Sequence, residues 1–178
     1  FKSCVSLTSI TFQSVSTVTS IGDHAFDTCT GLGSIIIPNS VTAMTPYAFV
    51  NTNLDTVYNA ANTTLFYVSP TTSNINIPAT VTSIVANVFT NNTSLTTITF
   101  ASTNTLTYIG DTAFNGCMGL TSIGIPSSVT YIGSGAFQGC GFLGSTTIGN
   151  TAITAINSNT FSNCSSLNSI TIPTTVTS

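Results

Sequence analysis

Phenylalanine recurs along this chain at a near-constant interval. Phe1, Phe26, Phe49, Phe66, Phe89, Phe114, Phe137 and Phe161 stand 23–25 residues apart, with one shorter gap of 17 between Phe49 and Phe66. Other apolar positions keep step. Leu follows six residues after most of these Phe, at Leu7, Leu32, Leu95, Leu120, Leu143 and Leu167. Two further apolar residues come nine and eleven after, as in Ile35 and Ile37, Ile98 and Phe100, or Ile123 and Ile125. Pro is next (Pro38, Pro78, Pro126, Pro173), then Val (Val41, Val81, Val129, Val176). Met44, Ile84, Ile132 or Ile156 then stands five residues before the next Phe, and Ala25, Ala48, Ala113 and Ala136 directly precede theirs. The repeat reads L-x-x-I-x-I-P-x-x-V-x-x-I-G-D/S-x-A-F-x-x-C.

Each part of the repeat predicts an element. L-x-x-I-x-I places apolar side chains at alternate positions, the period of a half-buried strand. Proline ends it, because it cannot donate to a ladder. V-x-x-I-G predicts a second, shorter extended piece. Asp23, Asp111, Ser134 and Ser158 lie three residues before a Phe and are helix N-cap types, so A-F-x-x-C is expected to be one short helical turn. A single repeat buries too few apolar side chains to offset the entropy of ordering it, whereas stacked repeats share strand hydrogen bonds and cover each other's faces. The expected fold is a solenoid, a β-rich α/β coil with a parallel strand column, a second short strand and a helical turn per repeat. It forms one repeat domain over residues 1–178, of about eight repeats beginning at the eight Phe above. The repeat between Phe49 and Phe66 is shortened by loss of its Pro and Val steps, which makes Tyr58–Thr64 a contracted turn and not a linker.

Composition narrows the function. Lys2, Asp23, Asp27, Asp55 and Asp111 are all the charged residues, and about a third of the chain is Ser or Thr. One lysine gives no footprint for nucleic acid, and no apolar run reaches the length of a membrane span. Disorder is excluded by the 42% of hydrophobic residues and their regular spacing. With no Glu, no Arg and only His24, general acid–base chemistry has little material, so no catalytic residue and no cofactor are expected. Asp23 and Asp27 beside His24 read as a capped turn with an exposed histidine.

Cys4, Cys29, Cys117, Cys140 and Cys164 each stand three residues after a repeat Phe, a place taken elsewhere by Thr52, Ser69 and Asn92. That column predicts an inward thiol or hydroxyl bonded to turn backbone, with Cys29, Cys117, Cys140 and Cys164 structural, like Phe26, Phe114, Phe137 and Phe161. A disulfide between Cys117 and Cys140, or Cys140 and Cys164, is compatible with coil spacing, although parallel inward vectors disfavour it. No metal-ligand cluster is present. The candidate binding face is the outward side of the strand column: Thr8, Thr11, Thr97, Thr99, Thr121, Ser122, Ser169 and Thr171. These hydroxyls either solvate a β surface or dock a polymer, a partner or ordered water. Sequons occur at Asn62, Asn91, Asn92 and Asn163.

The stretch from Leu120 to Cys140, Leu-Thr-Ser-Ile-Gly-Ile-Pro-Ser-Ser-Val-Thr-Tyr-Ile-Gly-Ser-Gly-Ala-Phe-Gln-Gly-Cys, resembles the BspA-type leucine-rich repeat. The resemblance extends over essentially the whole chain, with Pro, Val, Ala-Phe and Cys all in register. It implies a leucine-rich-repeat solenoid, found in cell-surface or secreted proteins of bacteria and some protists and associated with adhesion. The chain departs from the family in its low charge, which argues against a charge-based ligand, and in the shortened repeat, which bends the coil. The reading is a non-enzymatic extracellular adhesion module for a protein or glycan partner, without nucleic acid and without membrane insertion. The alternative is a filament or sheath subunit in which copies of the chain stack end to end. Neither terminus carries a capping signature, which fits that alternative and equally a fragment of a longer array.

Overall fold

The alternating stretches do form strands, and these stack in register. The computed structural model describes residues 1–149 and 152–178, which fall into two units, Phe1–Ser69 and Pro70–Ser178. Both are built from β-solenoid coils.

In the first unit β1 (Ser9–Ile10) pairs in parallel with β3 (Ser34–Ile35), and β2 (Ser20–Ile21) with β4 (Ala43–Met44). The Phe26 ring lies between Phe1 and Phe49, at centroid distances of 5.7 and 5.4 Å. At the shortened repeat, β5 (Thr56–Tyr58) and β6 (Thr64–Val68) form an antiparallel hairpin. Asn59 organises its turn. The carboxamide oxygen accepts the Thr63 and Thr64 amides at 2.7 and 3.0 Å, and the amide nitrogen donates to the Thr63 hydroxyl at 2.9 Å. The ring packed on Phe49 is Tyr67, at 5.5 Å, one residue past the Phe66 of the repeat pattern.

Among its described residues the second unit holds three parallel ladders. β7 (Asn74–Ile77) pairs with β9 (Thr97–Phe100). β8 (Ser83–Ile84), β10 (Tyr108–Ile109) and β12 (Tyr131–Ile132) form the second, and β11 (Ser122–Ile125), β13 (Ser145–Ile148) and β14 (Ser169–Thr171) the third. Phe89, Phe114, Phe137 and Phe161 stack in one column at 4.6, 5.1 and 5.4 Å, their planes within 9° of parallel. Leu95, Leu106, Leu120 and Leu143 are fully buried alongside them.

The expected helical turn in each repeat, and with it the α/β description, is not what forms. Among the described residues the only helix is one 3-10 turn, Pro46–Phe49. Elsewhere the Ala-Phe segment is a pair of hydrogen-bonded turns: Ala25 bonds Gly22 at 3.2 Å, and Cys29 bonds Phe26 at 3.1 Å. The reason is backbone handedness. The residues two before and two after the Phe have positive φ, as at His24 and Thr28, Asn87 and Asn91, Thr112 and Gly116, Gly135 and Gly139, and Asn159 and Asn163. A right-handed helix cannot pass through such residues. Their amides instead reach the next coil, Thr28 to Val50 at 2.9 Å and Gly116 to Gln138 at 2.8 Å, while Phe114 itself bonds Ala136 at 2.7 Å. The four predicted caps therefore have no helix to cap. Asp111 accepts the Ser134 amide at 2.8 Å, and Asp23 accepts the Thr45 hydroxyl. The Ser134 and Ser158 carbonyls accept the amides of Thr112 and Gly135, each at 2.9 Å. All four brace neighbouring coils.

Candidate functional site

Strand alternation sends Ile inward and Ser, Thr or Asn outward. Thr8, Thr11, Thr97, Thr99, Thr121, Ser122, Ser169 and Thr171 are all exposed. The register gathers them into separate patches. Thr97 and Thr99 oppose Asn74 and Asn76 across β7 and β9, and the Thr99 hydroxyl donates to the Asn76 carboxamide at 3.0 Å. Ser122, Ser145 and Ser169 form one row of the third ladder, and Gly124, Thr147 and Thr171 the next. Thr121 precedes β11, its carbonyl accepting the Gly144 amide at 2.9 Å. Thr8 and Thr11 flank β1 in the first unit.

That first patch borders a groove of about 640 Å³. Its walls are β1, β3, the Pro38–Ser40 turn and the loop after Phe12. The loop is long because five residues lie between Phe12 and Val18, where only three lie between Ile37 and Val41. Ile36 lies in the groove and is 68% exposed, and Val15 on the loop is 87% exposed. Ile36 breaks a pattern. Ten residues after each repeat Phe the other repeats place Thr11, Asn76, Thr99, Gly124, Thr147 and Thr171. The hydroxyls of Ser9, Thr11, Ser14 and Ser34 and the Gln13 amide make no side-chain hydrogen bond to the described residues. Sequence reading missed Ile36, Val15 and Gln13. Aligning that column would have exposed Ile36.

Of the cysteine column Cys29, Cys117, Cys140 and Cys164 face inward, whereas Cys4 is exposed, contrary to the expectation for that position. The thiols of Cys29, Cys117, Cys140 and Cys164 donate to the carbonyls of Phe1, Phe89, Phe114 and Phe137, at 2.9, 3.0, 3.1 and 3.1 Å. All five cysteines are free. Burial pushes the Cys140 thiol up to about 12 and raises Cys117 and Cys164 as well, so these groups stay protonated as donors and are poor nucleophiles.

Lys2 and His24 meet at one buried carboxylate, Asp27. Asp27 receives the Lys2 ammonium at 3.0 Å, His24 Nδ1 at 3.4 Å, the Thr28 hydroxyl at 2.8 Å and the Asn51 amide at 3.3 Å. The hydrogen bond from Lys2 and then that from Thr28 do most to lower its pKa from 3.8 to about 2, against the opposing effect of burial. A folded-state pKa below the unfolded value means that the unfolded chain binds the extra proton. The stabilisation is therefore full above about pH 4 and lost as pH falls toward 2. Urea midpoints measured across that window are expected to fall for the parent chain and to fall less for Asp27→Asn. An identical slope for both would show that the carboxylate contributes nothing.

Among the described residues no helix is long and apolar enough to cross a membrane. Comparison with curated proteins finds no match. Solved structures are similar over nearly the full chain. A leucine-rich repeat protein from Eubacterium ventriosum is 26% identical with a TM-score of 0.56, covering 97% of this chain and 68% of its own. A leucine-rich cell-surface protein from Faecalibacterium prausnitzii is 25% identical with a TM-score of 0.55, over 94% of this chain and 60% of its own. The pneumococcal vaccine antigen PcpA, at 21% identity and a TM-score of 0.59, covers 96% of this chain and 56% of its own, and shares the fold. The chain thus spans between 56% and 68% of the length of these proteins. The profile of the BspA-type leucine-rich repeat region matches six copies, over residues 1–65 and 59–178. With stacked Phe columns, parallel strand ladders and a match from end to end, the chain belongs to the BspA-type leucine-rich repeat family.

Proposed function

We propose that this chain is a non-enzymatic binding module displayed at a cell surface or secreted, and that it adheres to a protein or glycan partner through the Ser/Thr-rich outward side of its strands. The observation that carries the reading is the exposure of all eight predicted face residues, from Thr8 to Thr171, on outward strand positions or directly beside them. Similarity to a cell-surface protein supports the location. Rows of hydroxyls both donate and accept hydrogen bonds, which suits adhesion without the field of a charged patch.

Beads carrying the chain are expected to bind members of a panel of immobilised extracellular-matrix proteins and neutral cell-surface glycans. A variant combining Thr97→Asp, Thr99→Asp, Ser122→Asp and Thr171→Asp should bind about tenfold less with an unchanged circular dichroism spectrum. Binding to nothing on the panel, or equal binding by the charged variant, would defeat this reading.

A further inference from the structure

We propose that Tyr108, Tyr131 and Asp111 form a docking point for an arginine side chain of a partner protein. These residues stand on a different ladder from the hydroxyls of the adhesive reading, so the inference goes beyond it. Tyr108 and Tyr131 are register partners on β10 and β12. Their rings stack at 5.0 Å with planes 5° apart, and they are 40% and 39% exposed. Among the described residues no other stacked pair has both rings exposed. The ladder neighbour of Tyr108 on its far side is Ser83. The corresponding place after Tyr131, six residues before the next repeat Phe, holds Ala155. Neither side chain is large enough to cover a ring, so each tyrosine keeps its outer face open.

Charge selects the occupant. Asp111 is the only charged residue of the second unit, and the fold sets it beside this pair. It follows Tyr108 by three residues, and one carboxylate oxygen accepts the amide of Ser134, three residues past Tyr131, at 2.8 Å. The carboxylate therefore bridges the two coils that carry the rings. Its charge reaches the Tyr108 phenol, whose pKa is raised by burial first and then by the neighbouring Tyr131 and Asp111 charges. The other carboxylate oxygen and both phenol hydroxyls have no hydrogen-bond partner among the described residues. An electron-rich ring face and a carboxylate attract the same thing, a cation, and the second unit contains no Lys or Arg to compete for them. Arginine suits the place better than lysine. Its planar head stacks on aromatic faces, is less strongly hydrated and carries five N–H donors for carboxylate and phenol oxygens. A neutral sugar would use the rings and leave the carboxylate's charge unanswered, and an acidic segment would be repelled.

The test is an amide-resonance titration of the whole chain. The probes are a blocked pentapeptide, serine-threonine-arginine-threonine-serine, its versions with lysine, citrulline or glutamate at the centre, and cellopentaose. Citrulline keeps the planar head and loses the charge. The arginine peptide is expected to shift the resonances of residues 107–111 and 130–134 with an affinity at least about fivefold above the citrulline version, with lysine between them and glutamate inert. Asp111→Asn keeps an acceptor for the Ser134 amide, so the coils stay braced while the preference for arginine over citrulline disappears. Tyr108→Ser, which repeats the Ser83 of the preceding coil, should lower the arginine affinity severalfold and leave distant resonances in place. Equal binding of the arginine peptide and its lysine or citrulline version, an undiminished preference in Asp111→Asn, or cellopentaose shifting these resonances in place of peptide would each overturn the proposal. If no peptide shifts them while beads still bind the panel, this inference falls and the adhesive reading stands.

Discussion

Replacing Phe114 with alanine is expected to lower the stability of the second unit by about 3–5 kcal/mol, the range for removing a fully buried aromatic side chain. Phe114 is fully buried and is clamped on both faces, by Phe89 at 4.6 Å and Phe137 at 5.1 Å. Its backbone is held as well. The amide bonds Ala136 at 2.7 Å, and the carbonyl accepts the Cys140 thiol at 3.1 Å. The coils on either side therefore cannot close the void without breaking bonds to their neighbours. Truncation removes two stacking contacts together with the buried area. Phe142→Ala is the control. That ring is 64% exposed and lies outside the column, so its loss should stay within about 0.5 kcal/mol. Chemical denaturation followed by circular dichroism measures both. Equal effects would mean that the phenylalanine column does not hold the coils together.

The column was legible in the sequence because stacking needs the same side chain at the same place in each coil, and a period of 23–25 residues records that directly. The strands were legible for a related reason, since one residue of slip would turn Ile98 or Ile123 outward. The turns were misread. Asp and Ser three residues before a Phe carry the statistics of helix caps, but a cap signal says nothing of the handedness that follows. The informative residues were Asn87, Asn91, Asn159, Asn163, Gly116, Gly135 and Gly139, the types that accept positive φ. Thr28 and Thr112 take the same conformation although β-branching disfavours it. Residue type alone would not have placed them there.

The contraction at the shortened repeat is legible in the spacing, while the turn of its antiparallel hairpin is held by the Asn59 side chain. Nothing in the spacing reveals that this side chain gathers two amides and a hydroxyl. The candidate face was half legible. Outward positions follow from alternation, but which hydroxyls are engaged depends on the neighbouring coil. Thr99 is bonded to Asn76, while Thr11 faces an open groove. Family matching carries the fold across the chain, whereas the groove takes its lining from the loop after Phe12 and from Ile36.

The distance between coils is set by backbone approach as much as by rings, and Gly133 tests this. Gly133→Val is expected to cost about 3 kcal/mol, at the upper end of the usual range for overpacking. A Cβ at Gly133 would lie 2.4 Å from the Asp111 amide nitrogen and 2.4 Å from its carboxylate oxygen. Neither atom can withdraw easily. The Gly133 amide bonds the Ile109 carbonyl at 2.9 Å, and the Ser134 amide bonds the same Asp111 carboxylate at 2.8 Å, so separating the coils breaks the bonds that align them. Gly124 provides the comparison within the same unit. It sits on the outward side of β11, where an added Cβ would meet nothing within 4 Å. Gly124→Val should be neutral or slightly stabilising, because a β-branched residue suits a strand and glycine weakens one. A fall of several degrees in Tm for Gly133→Val, with none for Gly124→Val, is the expected pair of results. Similar Tm values for the two variants would show that the coils have room to separate, and that the side-chain columns alone fix their spacing.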